Sequence, residues 1–355
     1  MILVANGKTT LQERLSTELA QVEALFAAEV VSDLACVNEL VTHIERYRGK
    51  MLRPMLVLAS GLVSLPAEQA AAPPIPAGLK PIEPALSHGH RVIATVVEMV
   101  HMATLVHDDI LDEAQIRRKG ATINQLNGNE TAVMLGDYLI SHAYHLCSSL
   151  GDPAVSMTIA NATNTVCEGE LLQLANRNNW VLDEATYFEI IRRKTASLCG
   201  TCCELGARLS GAEADVAASL YDFGEKVGIA FQIVDDLLDL MGDQDTVGKT
   251  LGRDVQKGKL TLPMIHHLAR TDDSGRAQVL EILEDRSSMQ QAEGLEADTV
   301  RRIRARLAAT GSLAYAHECA RRLVEKARQS LEIVAHSPAR VFLLDAADAV
   351  LTRKY

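Results

Sequence analysis

Two apolar stripes with helical spacing constrain this chain more than any other feature. Val92, Val96, Met99, Ala103 and Val106 recur at steps of 4, 3, 4 and 3, and Val227, Phe231, Val234 and Leu238 repeat the pattern. Such steps place one apolar face on an α-helix, whereas the alternation that marks strands is scarce. Aromatics make up only 4% of the residues against 48% hydrophobic, so the core is expected to be aliphatic. Residues 296–335 read as charged, Ala-rich helix, and Pro338 marks a break before a last helix ending near Arg353. The expected class is all-α.

Six of the ten prolines fall between Pro66 and Pro84, which reads as a surface insertion at about 65–90. The residues before it are too few to make a trustworthy core of their own, so 1–355 is expected to be a single domain. Thirty-five Lys and Arg against 46 Asp and Glu give a net charge of −11, which argues against a nucleic-acid binder. No apolar stretch reaches the ~18 residues that span a bilayer. The start, MILVANGK, lacks the features of a secretory leader. Seven cysteines without a framework spacing fit a reducing cytoplasm, the expected location. Gly7-Lys8-Thr9 and Gly248-Lys249-Thr250 end like phosphate loops, but Ile2 and Asp243 stand where the first glycine is required.

The chemistry lies where the stripes end. Asp108-Asp109-Ile-Leu-Asp112 and Asp235-Asp236-Leu-Leu-Asp239 carry aspartates at the same relative positions 0, 1 and 4. On a helix, 0 and 4 share a face and 1 flanks it, so each set reads as a three-carboxylate claw. Clustered like charges beside apolar stripes call for a cation. All-oxygen donors select a hard ion such as Mg²⁺, which also takes substrate phosphates. His101 lies two turns before Asp108, on the same face, and Arg117 and Arg118 follow it. Gln232 shares one helix edge with the second set, and Lys249 and Lys259 come after it. Lys50 and Arg53 sit at a helix start, and Arg192-Arg193-Lys194-Thr195 forms another basic knot. Basic groups near two metal claws suit phosphorylated substrates.

The pieces GKMLRP at 49, HMATLVHDDILDEAQIRRKG at 101, GDYL at 136, GELLQ at 169, KTASL at 194, FQIVDDLLD at 231 and GKTLGRDVQKGKLTLP at 248 occur in an order that resembles the trans-type polyprenyl diphosphate synthases. The pattern is nearest to the long-chain, octaprenyl-like members. The resemblance implies an isoprenoid synthase-type helical bundle around a deep central cavity, usually a homodimer. It implies an activity that condenses an allylic diphosphate, such as farnesyl diphosphate, with isopentenyl diphosphate by ionisation, condensation and elimination.

Roles carry over residue by residue. Lys50, Arg53, His101 and Arg118 match contacts to isopentenyl diphosphate. Asp108, Asp109 and Asp112 match one metal set, and Asp235, Asp236 and Asp239 the other, with three Mg²⁺ ions in the family. Arg117, Lys194, Thr195, Gln232, Lys249 and Lys259 match groups around the allylic diphosphate, and Arg117, Lys194 and Lys259 would stabilise the leaving group. The departing diphosphate is the base, so no protein base is assigned. The usual GGKR reads RGKM here, and RRG reads RRKG.

The growing chain is expected to run down the helix that carries Asp108, past Thr104, Ala103 and Val100. Family members that make short products block this route with aromatics, and none occupies 92–107 here. A product longer than fifteen carbons is expected, with farnesyl or geranylgeranyl diphosphate synthesis as the alternative. A Phe at Ala103 should then shorten the product. No transmembrane segment is foreseen, although a lipid product points to release at a membrane surface. A class I terpene cyclase would replace the second claw and dispense with the second diphosphate site. A non-catalytic subunit of a heteromeric synthase would commonly lose claw aspartates, and all six are kept.

Overall fold

The helical spacing translates directly into the backbone of a computed structural model, which describes residues 9–47, 49–65, 86–118, 120–241, 252–284 and 293–353. Most of the expected Pro-rich insertion, residues 66–85, lies outside the described residues, as does Lys249. In chain order the helices are α1 (Thr9–Glu29), α2 (Ala35–Ile44), α3 (Leu52–Val63), α4 (His88–Leu111), α5 (Ile123–Ser148), α6 (Pro153–Ala175), α7 (Glu184–Ile191) and α8 (Ser197–Leu209). They continue as α9 (Ala214–Met241), α10 (Arg253–Gln256), α11 (Leu262–Arg270), α12 (Asp273–Glu284), α13 (Glu293–Ala309), α14 (Ser312–Ser330) and α15 (Pro338–Leu351). Between α4 and α5 a small hairpin pairs β1 (Ile116–Arg117) with β2 (Gly120–Ala121), in the register Ile116↔Ala121. No other strand occurs among the described residues, so the all-α expectation holds.

Sequence signals explain several helix ends. Asp183 caps α7 by accepting the Thr186 N–H at 2.7 Å. Pro338 opens α15, where its fixed φ suits the first turn and its missing N–H costs nothing. Among the described residues no helix is long and apolar enough to cross a membrane.

The chain divides into two compact units. The first comprises Met1–Thr163, Leu198–Gly224 and Ser330–Asp345, and the second Asn164–Ser197, Glu225–Gln329 and Ala346–Tyr355. In the first unit α4 is the hub, packed against α5, α3 and α1. Its predicted stripe is sealed, with Val92, Val96, Met99, Ala103 and Val106 at most 1% exposed. Ile93, Ala94, Val97 and Met102 off that stripe are just as deep, because α4 has neighbours on several sides. In the second unit α11 packs on α7 and α13, and the Tyr315 hydroxyl of α14 donates to Glu184 at 2.8 Å.

His90, in the first turn of α4, is a buried titratable group that locks its surroundings. Its Nδ1 accepts the Ser87 N–H at 3.1 Å, which leaves the proton on Nε2 to be given to the Gly206 carbonyl at 3.1 Å. Burial pushes the imidazole down to about 4, against the opposing pull of the Gly206 carbonyl. The unfolded chain takes up the proton near pH 6.5 and the folded one only near 4, so stability falls as pH drops through that interval. The loss should reach about 3 kcal/mol, at ~1.4 kcal/mol for each pH unit crossed between the two. In urea unfolding, the stability gap between wild type and His90→Gln should narrow by that amount from pH 7 to pH 4. A constant gap would contradict it.

Candidate active site

The first acidic motif ends α4. The backbone N–H of Asp112, the residue just past the helix, bonds to the Asp108 carbonyl at 2.8 Å, and both side chains are half-buried. Asp109 turns the other way and is 1% exposed. Arg117 of β1 grips it, with Nε 2.9 Å from both carboxylate oxygens and Nη2 2.7 Å from Oδ1. That guanidinium also lies 5.8 Å from the centre of the Tyr47 ring. The Tyr47 hydroxyl accepts the Ile123 N–H at 3.1 Å, and burial and the Asp109 charge push the phenol up to about 12.

Around His101, one turn or more up the same helix, the first unit gathers cations. Burial, reinforced by Arg53, Arg117 and Arg118, holds the imidazole well below its ordinary value. Arg53 lies in the first turn of α3, and its Nε is buried without a hydrogen-bond partner. Lys50 is exposed just before that helix, after Gly49. A side chain at Gly49 would collide with the Arg118 guanidinium, 2.5 Å from where its Cβ would stand. Arg118 itself has a left-handed backbone, φ 47°, at the hairpin turn. An orphaned guanidinium nitrogen and three arginines around one neutral imidazole suit an anion with several oxygens. Arg53 and Arg118 of the expected group therefore come together around His101, and Lys50 lies exposed beside Gly49.

The second motif lies near the end of α9, in the second unit. Asp236 is 5% exposed, accepting from the Tyr187 hydroxyl at 2.7 Å and from Gln232 Nε2 at 2.9 Å. Thr195 extends the chain by donating to Gln232 at 3.1 Å. Burial, followed by the charges of Asp254 and Asp235, raises the Asp236 carboxyl well above its ordinary range. Asp235 pairs with Arg353 at 3.3 Å, and that guanidinium stacks 4.3 Å over Phe231. Asp239 Oδ2 accepts the Asp254 N–H at 3.2 Å. Lys194, Thr195, Gln232, Asp236, Asp254 and Lys259 line one cavity of about 110 Å³.

The aspartates of each expected claw divide between two directions. Among the described residues no three His, Cys, Asp or Glu side chains gather around one point. Position 1 of each motif points into the protein, where Arg117 or Tyr187 and Gln232 hold it, and only positions 0 and 4 keep to the outer face. The donor chemistry still fits a hard cation, since the outer groups are carboxylates and the like charges around Asp236 are ones that a divalent ion would relieve.

The basic knot is also less open than its composition implies. Arg192 and Arg193 both pair with Glu189, Arg192 also with Glu225 and Arg193 with Glu168, while Lys194 pairs with Glu170. Glu189 is held down at about 2 by these guanidinium bonds. The backbone here is a π-helical stretch, Arg192–Ala196, a widened turn often found at functional sites. Gly169 makes room for it, because a Cβ there would stand 2.5 Å from the Lys194 amide nitrogen. Glu170, Tyr187, Asp254 and Arg353 are the members of these clusters that sequence reasoning missed. Only Glu170, inside GELLQ, and Asp254, inside GKTLGRDVQKGKLTLP, lay within a quoted motif.

The expected chain-length positions separate. Val100 is 1% exposed and Ala103 is 0%, both sealed by helix packing, whereas Thr104 is half-buried. Adjacent helix residues point about 100° apart, so small size alone does not put Ala103 on an open wall.

With the geometry in hand, comparison with known proteins is direct. Residues 35–297 match the family model described as "Polyprenyl synthetase". The chain is 31% identical over 344 residues to the octaprenyl diphosphate synthase of Escherichia coli (strain K12), covering 97% of this chain and 98% of that one. It is similar in structure to a polyprenyl synthase from Caulobacter crescentus complexed with calcium and isoprenyl diphosphate. There the TM-score is 0.84 and the identity 29%, over 99% of this chain and 100% of that one. A decaprenyl diphosphate synthase from Rhodobacter capsulatus gives a TM-score of 0.82 and 34% identity, over 96% of this chain and 98% of that one. A transferase of the helical isoprenyl synthase type is what all of these describe, and this chain belongs to the polyprenyl synthetase family.

Proposed function

We propose that the protein elongates an allylic diphosphate with isopentenyl diphosphate to give a trans-polyprenyl diphosphate longer than fifteen carbons. The observation that carries this reading is the cation cluster of Arg53, His101, Arg117 and Arg118 beside the end of α4, on the helix that carries Asp108 and Asp112. Long-chain products are what the similar proteins from Escherichia coli and Rhodobacter capsulatus are named for.

In this reading the oxygen donors for Mg²⁺, three ions in all, are Asp108 and Asp112 of the first motif and Asp235 and Asp239 of the second. Bound Mg²⁺ supplies positive charge that stabilises the diphosphate leaving group. Lys50, Arg53, His101 and Arg118 hold isopentenyl diphosphate so that its alkene faces the allylic carbon. His101 does this as a neutral imidazole that offers one N–H. Arg117, Lys194, Thr195, Gln232, Lys249 and Lys259 belong to the allylic diphosphate, and Lys194 exchanges Glu170 for a phosphate oxygen when it binds. The released diphosphate takes the final proton. The chain acts as one synthase domain, 1–355, assembled as a homodimer in the cytoplasm, and delivers its lipid product to a membrane surface.

Purified protein given Mg²⁺, labelled isopentenyl diphosphate and farnesyl diphosphate should yield products longer than fifteen carbons, sized by mass spectrometry. No elongation from any allylic primer would overturn the reading. Thr104→Phe should shorten the product by at least one five-carbon unit at similar turnover. Ala103→Phe should instead overpack the core and lower stability by about 1–3 kcal/mol. An unshortened product from Thr104→Phe would move the tail to another wall.

A further inference from the structure

The two acidic motifs share a device that their sequences do not display. In each, the second aspartate is buried and held by a side chain brought from another element. Arg117 of β1 grips Asp109, and the hydroxyl of Tyr187, a residue of α7 that is 3% exposed, donates to Asp236 at 2.7 Å. That hydroxyl is not open to a substrate as a donor, because it is already engaged. Gln232 completes the clamp on Asp236.

Position 1 on a helix lies about 100° from position 0 and closer to 60° from position 4. A bond that holds position 1 therefore sets the rotation of the helix end about its own axis. That rotation decides where positions 0 and 4 point. We propose that Tyr187 is a positioning residue for metal binding, fixing Asp236 so that Asp235 and Asp239 present their carboxylates to the ions. This rests on the proposed function, and it makes Asp236 a support rather than a ligand. Outer-shell groups that orient metal ligands act in the same way elsewhere.

The test uses the full-length protein with Tyr187→Phe, which keeps the ring and removes the hydroxyl. Mn²⁺ would be titrated in the presence of inorganic diphosphate, free Mn²⁺ being read by its electron paramagnetic resonance signal. The variant should raise the Mn²⁺ midpoint roughly 10-fold. The Mg²⁺ concentration for half-maximal elongation should rise in parallel, with turnover at saturating Mg²⁺ within about threefold of wild type. Tyr315→Phe, which removes a hydroxyl bond to Glu184 instead, should leave the midpoint where it was. A midpoint unchanged in Tyr187→Phe, or shifted equally in Tyr315→Phe, would overturn the proposal.

Should Tyr187→Phe fail to fold, Asp236→Asn decides. Its amide oxygen still accepts the Tyr187 bond while its nitrogen no longer accepts from Gln232, so a supporting role predicts a midpoint shift well short of that in Asp235→Ala. A loss as deep as that of Asp235→Ala would make Asp236 a ligand and sink the proposal. Absence of elongation by the wild type would overturn the proposed function and leave this inference standing, because the Mn²⁺ measurement needs no turnover.

Discussion

Asp108→Ala should lower elongation by roughly 10³-fold while leaving the protein as stable as the wild type, or slightly more so. The two halves of that result have separate causes. Asp108 stands in the last turn of α4 and Asp112 just beyond it. Helix carbonyls at that end carry partial negative charge, so carboxylates are unfavourable there by a few tenths of a kcal/mol each. Residues kept where they cost stability are better explained by function than by folding. Losing one oxygen ligand leaves developing diphosphate charge uncompensated, a deficit of several kcal/mol, and each ~1.4 kcal/mol is tenfold in rate. Product formation from isopentenyl and farnesyl diphosphates, alongside a thermal melt, measures both halves. A rate loss below tenfold would remove Asp108 from the metal site, and a large drop in melting temperature would make its role structural.

Gly206→Ala should be the most damaging small substitution in the first unit. A Cβ on Gly206 would stand 2.2 Å from the Val57 carbonyl oxygen, with the Val57 carbonyl carbon at 3.0 Å and the Gly61 nitrogen at 3.1 Å. All three are backbone atoms of α3, so no side chain can swing aside and the helices themselves must part. Parting them also loosens the Gly206 carbonyl from His90 Nε2, which leaves a buried imidazole N–H with less to bond. The combined cost should be about 3 kcal/mol or more. Gly200→Ala is the comparison, because its Cβ would meet only the ring edge of Tyr221, at 2.9 Å and beyond. A ring can tilt, and that variant should lose clearly less. Urea unfolding of the two proteins would separate them, and equal losses would refute the backbone argument.

These cases also mark how far the sequence could be read. Both stripes were legible because period alone places residues on a helix face; the first is buried throughout, and in the second Val227 and Val234 are buried while Phe231 and Leu238 are half-buried. The gathering of Arg53 and Arg118 around His101 was legible through resemblance, since the three residues come from three separate segments. The inward turn of Asp109 and Asp236 was not, because it depends on the Arg117 guanidinium folding back onto the one and on a phenol 49 residues before the other. The pairs of Arg193 with Glu168 and of Lys194 with Glu170 were hidden for the same reason, since those glutamates arrive through tertiary packing, whereas Glu189 meets Arg192 and Arg193 at the local i,i+3 and i,i+4 spacings. Ala103 was placed beside the growing chain on its size alone, which says nothing about which neighbour lies against it, and in the structure it is 0% exposed.

The widened turn at Arg192–Ala196 carries one more consequence. Tyr187 before it and Thr195 within it each bond the same edge of α9, at Asp236 and Gln232. An α-helix advances about 100° per residue, so eight regular steps would leave Thr195 roughly 80° away from the bearing of Tyr187. A π-turn takes in one extra residue without breaking the rod, so the eight steps turn the chain about as far as seven would. Seven steps return to within roughly 20° of the starting bearing. The widening thus corrects the phase of the helix, and both hydroxyls arrive on one side. A regular α-helix carrying the same residues could offer α9 only one of the two bonds.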